Sequence, residues 1–130
     1  MSPNFWIIDD DAEIREALTT MCTILGYETL PFDSPTKAGQ ALLSGSTPKL
    51  IFLDINMPAV SGFEFLKFVR EKDRWSKIII IMVSSESEET QVEKAIRLGA
   101  DGYVFKPINF DELKMAIRTA AKRRASTSGL

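Results

Sequence analysis

The sequence predicts an α/β domain: a parallel sheet with helices on both faces. Three observations carry this. Short apolar runs alternate five times with stretches of helical period. Two of the runs, LIFL at 50–53 and IIIIMV at 78–83, are apolar without a break, as strands covered on both faces are. A chain of 130 residues has the length of one domain and leaves no space for a second beside five such units.

Taken in order, residues 5–8 read as the first strand. A helix over 12–25 puts Ile14, Leu18, Met21 and Leu25 on one face, with Asp11 as N-cap and Gly26 as its stop. Residues 27–32 form the second strand. Asp33, Ser34 and Pro35 start a helix whose inner face holds Ala38, Ala41 and Leu42. A turn over 45–48 leads to the third strand at 50–53, and a loop over 58–62 leads to a helix with Phe63, Leu66 and Val69 in register. The fourth strand spans 78–83. A helix over 88–98 turns Val92, Ala95 and Ile96 inward and stops at Gly99. The fifth strand is 103–105, and a last helix from 109 or 110 buries Phe110, Leu113 and Ile117. The expected domain runs over 1–124, with 125–130 (ASTSGL) as a frayed tail or cut linker.

Composition narrows the chemistry. Hydrophobic residues make up 45% and charged residues 26%, as in globular domains. Sixteen basic and 18 acidic residues give a net charge of −2, no basis for a global nucleic-acid or anionic-membrane surface. Lys122, Arg123 and Arg124 are expected to meet a helix end and solvent. The apolar runs are too short to span a bilayer and the N-terminus lacks a secretory pattern, so a cytoplasmic site is expected. The one cysteine, Cys22, lies within MCTIL and reads as a core residue. There is no histidine, which removes Ser-His-Asp and Cys-His catalysis and histidine-bound metals. No glycine-rich nucleotide motif is present.

What remains is carboxylates, hydroxyls and lysine, and their positions are ordered. In open parallel sheets, functional groups gather at the carboxyl ends of the strands. Asp9 and Asp10 follow the first strand, Asp54 the third, Ser84 and Ser85 the fourth, and Lys106 the fifth. Each has a plainer role alone: a cap, a turn, a solvated charge. Together they form a pocket suited to a hard divalent cation, Mg²⁺, and a phosphoryl group. A cation also explains why acids crowd the end of a buried strand, since it offsets their repulsion.

The motifs IIDDD at 7–11, DINMPAVSG at 54–62, VSSE at 83–86 and GYVFKPI at 102–108 occur in this order over nearly the whole chain. In combination they resemble the receiver domain of bacterial two-component response regulators, similar to single-domain chemotaxis-type receivers. The resemblance implies a doubly wound, flavodoxin-like (βα)₅ fold with strand order 2-1-3-4-5. It implies that Asp54 accepts a phosphoryl group from a partner's phosphohistidine. It implies Mg²⁺ held by Asp10, Asp54 and the Asn56 carbonyl, with Asp9 acting through water. Lys106 and Ser84 complete the phosphoryl site, Tyr103 is the aromatic switch, and the Lys106–Pro107 bond is cis. Met57, Pro58 and Gly62 shape the loop after the acceptor, and Asn56 and Glu86 tune hydrolysis of the acyl phosphate. Two departures stand out: Ser84 lacks the methyl of threonine, and Ile108 stands where phenylalanine is frequent.

The implied partners are a sensor histidine kinase or histidine phosphotransfer protein, and a downstream protein or an output domain fused beyond Leu130. A phosphorylation-dependent dimer is possible within this pattern; nucleic acid or membrane binding by the domain itself is not implied. Such a protein is no classical enzyme, since it catalyses only its own phosphorylation and dephosphorylation. Two alternatives differ in kind. A Mg²⁺-dependent phosphatase-like hydrolase would show multiple turnover, yet DINMP lacks the second acid two residues on. A phosphate-independent binding module would not respond to acetyl phosphate.

Overall fold

The computed structural model describes residues 4–85 and 88–128. Five strands, β1 (Asn4–Ile8), β2 (Glu28–Phe32), β3 (Leu50–Asp54), β4 (Ile79–Ser84) and β5 (Gly102–Phe105), alternate with five helices, α1 (Ala12–Ile24), α2 (Pro35–Leu43), α3 (Gly62–Arg70), α4 (Glu89–Arg97) and α5 (Phe110–Ser128). The strands form one sheet in the order β2-β1-β3-β4-β5, and every neighbouring pair is parallel. This is the doubly wound, flavodoxin-like architecture.

The period of two along each strand divides the core. Trp6, Ile8, Ile51, Leu53, Ile80 and Met82 face one layer, with Ala38, Leu42, Phe65, Leu66 and Val69 of α2 and α3. Phe5, Ile7, Leu50, Phe52, Ile81 and Val83 face the other, with Leu18 and Cys22 of α1 and Leu113, Ile117 and Ala120 of α5. Burial pushes the Cys22 thiol up to about 12, so it stays protonated and inert. The caps are local chemistry: Asp11, Ser34 and Ser61 each accept a backbone N–H from the first turn of α1, α2 and α3.

Several elements differ from their sequence-based expectation. Strands β3 and β4 extend one residue further, through Asp54 and Ser84, because Asp54 still pairs with Val83 and Ser84 with Phe105. Strand β4 starts at Ile79, since the Ile78 N–H is taken by the Trp75 carbonyl at 3.2 Å. A 3₁₀ turn, Asp73–Trp75, was not foreseen within the polar stretch EKDRWSK. It buries Trp75 beside Phe68, with the Arg74 guanidinium 4.5 Å from the indole ring centre. In α4 only Ala95 is buried, while Val92 and Ile96 are half-buried. Helix α5 continues through Ser128, four residues past Arg124, into the segment expected as a frayed tail or cut linker. Among the described residues, no helix is long and apolar enough to cross a membrane.

Candidate functional site

The carboxyl ends of β1 and β3 lie side by side, because Ile8 pairs with Leu53 in register. Continuing the period of two, Asp9 follows Ile7 and Asp54 follows Phe52 on the α1/α5 side of the sheet. Asp9 and Asp54 are buried, at 1% and 4% exposure, while Asp10 is exposed. A carboxylate oxygen from each of Asp9, Asp10 and Asp54 lies within 4.8 Å of the others. The expectation that the first and third junctions bring their acids together therefore holds.

Lys106 enters from the end of β5, its backbone N–H bonded to the Ser84 carbonyl at 2.9 Å. Its Nζ donates to Asp54 Oδ1 at 3.3 Å and lies 3.1 Å from Asp9 Oδ2. The second approach is a charge contact without hydrogen-bond alignment, so buried Asp9 Oδ2 has no hydrogen-bond partner. The other Asp9 oxygen accepts the Asp11 N–H at 2.9 Å, and Arg15 donates to the Asp9 backbone carbonyl at 2.7 Å. Asp11 itself caps α1 through the Glu13 N–H, as expected of a cap rather than a ligand. The Lys106–Pro107 bond is cis, again as expected.

Three carboxylates thus face one ammonium. Burial, then the neighbouring Asp9 charge, push the Asp54 carboxyl up to about 6, against the pull of Lys106. Burial draws the Lys106 ammonium down, but Asp54 and Asp9 together outweigh it and leave its pKa above the ordinary lysine value. The donor set is all oxygen, one buried oxygen lacks a hydrogen bond, and negative charge is in excess. These are the features a hard divalent cation satisfies.

The loop after β3 closes the pocket. A Cβ on Gly62 would overlap the Asp54 carbonyl oxygen, and the Gly62 N–H bonds the Ile55 carbonyl at 2.8 Å. Glycine is the only residue that permits this approach. Ala59 lies at φ 69°, in the left-handed region, spanned by a 2.8 Å bond from the Val60 N–H to the Pro58 carbonyl. Asn56 and Pro58 are exposed and Met57 is buried. Ser84 is buried at the end of β4. Tyr103 is half-buried on β5, its ring centre 5.0 Å from that of Phe105. Glu86 lies outside the described residues.

Sequence inspection missed a second cluster at the opposite edge of the sheet. Asp101, 2% exposed, accepts from Arg70 at 2.9 Å, Arg124 at 2.8 Å and the Ile80 N–H at 2.9 Å. Arg124 was expected to meet solvent at a helix end. Instead it also donates to the Ser76 carbonyl at 3.1 Å, because α5 runs on past it and lays it against the start of β4. Arg70 further donates to the Gly99 carbonyl at 2.9 Å.

Against this geometry, the profile of the response regulator receiver domain matches residues 5–118. The chain belongs to that family, the receiver domains of two-component signalling. It is 34% identical over 127 residues to the KDP operon transcriptional regulatory protein KdpE of Escherichia coli, covering 96% of this chain and 54% of that protein. It is 30% identical over 109 residues to the chemotaxis protein CheY1 of Helicobacter pylori, covering 83% of this chain and 88% of that one. The solved structure of chemotaxis protein CheY4 of Vibrio cholerae superposes with a TM-score of 0.83 at 26% identity, covering 92% of this chain and 99% of CheY4. The chain spans about half the length of transcriptional regulators such as KdpE and the Pseudomonas aeruginosa PhoB that it matches.

Proposed function

We propose that the chain is a phosphorylated switch with Asp54 as its acceptor. The observation that carries this is the Asp54 carboxylate, buried beside Asp9 and Asp10 and 3.3 Å from the Lys106 ammonium. Asp9, Asp10, Asp54 and the Asn56 carbonyl would hold Mg²⁺, which supplies charge compensation for phosphoryl oxygens. Asp54 must be ionised to attack, and both Lys106 and added positive charge favour that form. An Asp54 oxygen bonds phosphorus as the P–N bond to the donor imidazole breaks, and the ring, already protonated on its other nitrogen, leaves as neutral imidazole. Lys106 neutralises a phosphoryl oxygen through the transfer.

The acyl phosphate adds close to two negative charges beside β4 and β5. The Ser84 hydroxyl turns toward them, and Tyr103 moves into the space released. The surface of α4, β5 and α5 then shifts between two packings. The thin anchoring of α4, whose one buried residue is Ala95, supports this assignment. The donor is a sensor histidine kinase or a phosphotransfer protein in the cytoplasm. The receiver of the signal is a downstream protein or an output domain fused beyond Leu130, with a phosphorylation-dependent dimer as one form of that output. Asn56 and Glu86 tune how long the phosphoryl group lasts.

Labelling with radioactive acetyl phosphate and Mg²⁺ tests the assignment. Wild type is expected to take up one base-labile phosphoryl group without sustained turnover, and Asp54→Asn to take up none. Labelling of Asp54→Asn at the wild-type rate would overturn it.

A further inference from the structure

Helix α5 has two unlike sides. Toward β5, a pocket of about 420 Å³ is lined by Asp111, Glu112 and Met115 together with Gly102 and Tyr103, and by no cation. The other side is basic. Lys114, Ile117, Arg118, Ala121, Arg124 and Ala125 line two further pockets. Their spacing of three and four residues places them on one face, about 16 Å long at the rise of an α-helix. One pocket, about 220 Å³, is walled by Leu25 and Tyr27. The other, about 410 Å³, is closed by Lys49, Lys77 and Ile79 at the amino edge of the sheet. Backbone bonds from Lys49 N–H to the Asn4 carbonyl (2.9 Å) and from Ile79 N–H to the Lys49 carbonyl (3.0 Å) fix that rim. Among the described residues, no carboxylate lines either pocket.

The charge is segregated here. From Leu113 to Ser128 the chain carries five cations and no acid, although its net charge is −2. Lys114, Arg118 and Lys122 follow one another at intervals of four, an arrangement in which like charges repel. Among the described residues, Lys49, Lys77, Lys114 and Arg118 make no ion pair. The nearby acid, Asp101, is already shared between Arg70 and Arg124.

The apolar walls decide which anion fits. Single-stranded nucleic acid is held by phosphate tracks and free aromatic platforms; among the described residues lining the two pockets the one aromatic ring, Tyr27, is already stacked on Phe5 at 4.0 Å. A membrane surface has no projecting side chains to fill two separate wells. A peptide with carboxylates alternating with apolar side chains satisfies both features. We infer that this side of α5, with Lys49 and Lys77, is a docking groove for an acidic, leucine-bearing segment of a partner protein. It shares no residue with the acidic pocket and lies on the far side of α5 from the groove at β5.

The test uses the full chain and a fluorescein-labelled nonapeptide of three Glu-Leu-Glu repeats, followed by anisotropy and amide chemical shifts. Saturable binding is expected, with shifts at Lys49, Lys77 and residues 114–125. The pair Lys114→Glu/Arg118→Glu and the pair Lys49→Glu/Lys77→Glu should each weaken it by about tenfold or more. The milder Lys49→Gln/Lys77→Gln should weaken it less, and Asp54 labelling should stay at the wild-type level in all three. No binding, shifts confined to the β5 side, or affinity unchanged by the reversals would overturn the inference. So would tighter binding of a poly-dT oligonucleotide or phosphatidylserine vesicles, or self-association that these reversals abolish.

Discussion

The two ends of the sheet solve the same electrostatic problem with opposite proportions. At the carboxyl edge, three carboxylates surround one ammonium, and one buried oxygen of Asp9 is left without a hydrogen bond. At the amino edge, one carboxylate sits between two guanidiniums, and both of its oxygens are bonded. The first is incomplete by one or more positive charges. The second leaves no carboxylate oxygen unbonded, and its excess is cationic: the buried Arg70 Nη1 has no hydrogen-bond partner, and burial and then the Arg124 charge bring Arg70 down to about 10, against the pull of Asp101. A cluster whose acid is fully bonded by its own cations holds the fold together, whereas one with acids in excess is held ready for a cation.

Removing the central acid of the Asp101 cluster should do the most damage. Asp101→Ala leaves two buried guanidiniums facing each other and orphans the Ile80 N–H, so a loss of about 3–5 kcal/mol in urea unfolding is expected. A loss below about 1 kcal/mol would mean that Asp101 does not tie the two arginines and β4 together as described. The open cluster should respond next, and in the opposite direction. Mg²⁺ at a hundred times its dissociation constant should stabilise the wild type by about 2.7 kcal/mol. The same addition should leave Asp10→Asn/Asp54→Asn nearly unchanged, and an equal gain in that variant would place the ion elsewhere.

The smallest effect sharpens the contrast through pH. In cation-free protein the Asp54 carboxyl stands at about 6, above its ordinary 3.8. A raised acid binds its proton more tightly folded than unfolded, so its contribution is full below 3.8 and is lost as pH rises through about 6. Above that window, Asp54→Asn is expected to be more stable than wild type by about 1–2 kcal/mol. The gap should close as pH falls toward 4 and reverse with saturating Mg²⁺, which stabilises the wild type. A gap independent of pH would assign the difference to something other than this carboxyl.

How far the sequence could be read follows from the range of each interaction. Strands β3 and β4 were legible because both faces are buried and the runs are unbroken. The acids at their ends were legible because a charge directly after such a run is costly without a partner. Lys106 became a site residue once the parallel topology carried β5 to the same edge. Arg124 was not legible, since its partner Asp101 is 23 residues away and meets it only when α5 packs along the sheet. The polar composition of 122–128 also hid the continuing helix. Gly62 reads from the sequence as part of a loop, but the overlap that forbids a side chain there exists only in three dimensions. Trp75 sat among charges, and nothing local marked it as core.

The pairing of Asp54 with Val83 and of Ile8 with Leu53 has a further consequence for how such a chain can change. Side chains along β3 are dealt alternately to the two layers, so losing a residue early in the strand exchanges every assignment that follows it. Leu53 would then point among the acids, and the carboxylate would be driven into the oily layer beneath α3. The pocket therefore has a reading frame, much as a gene does: it can absorb many single replacements, but not a deletion within that strand.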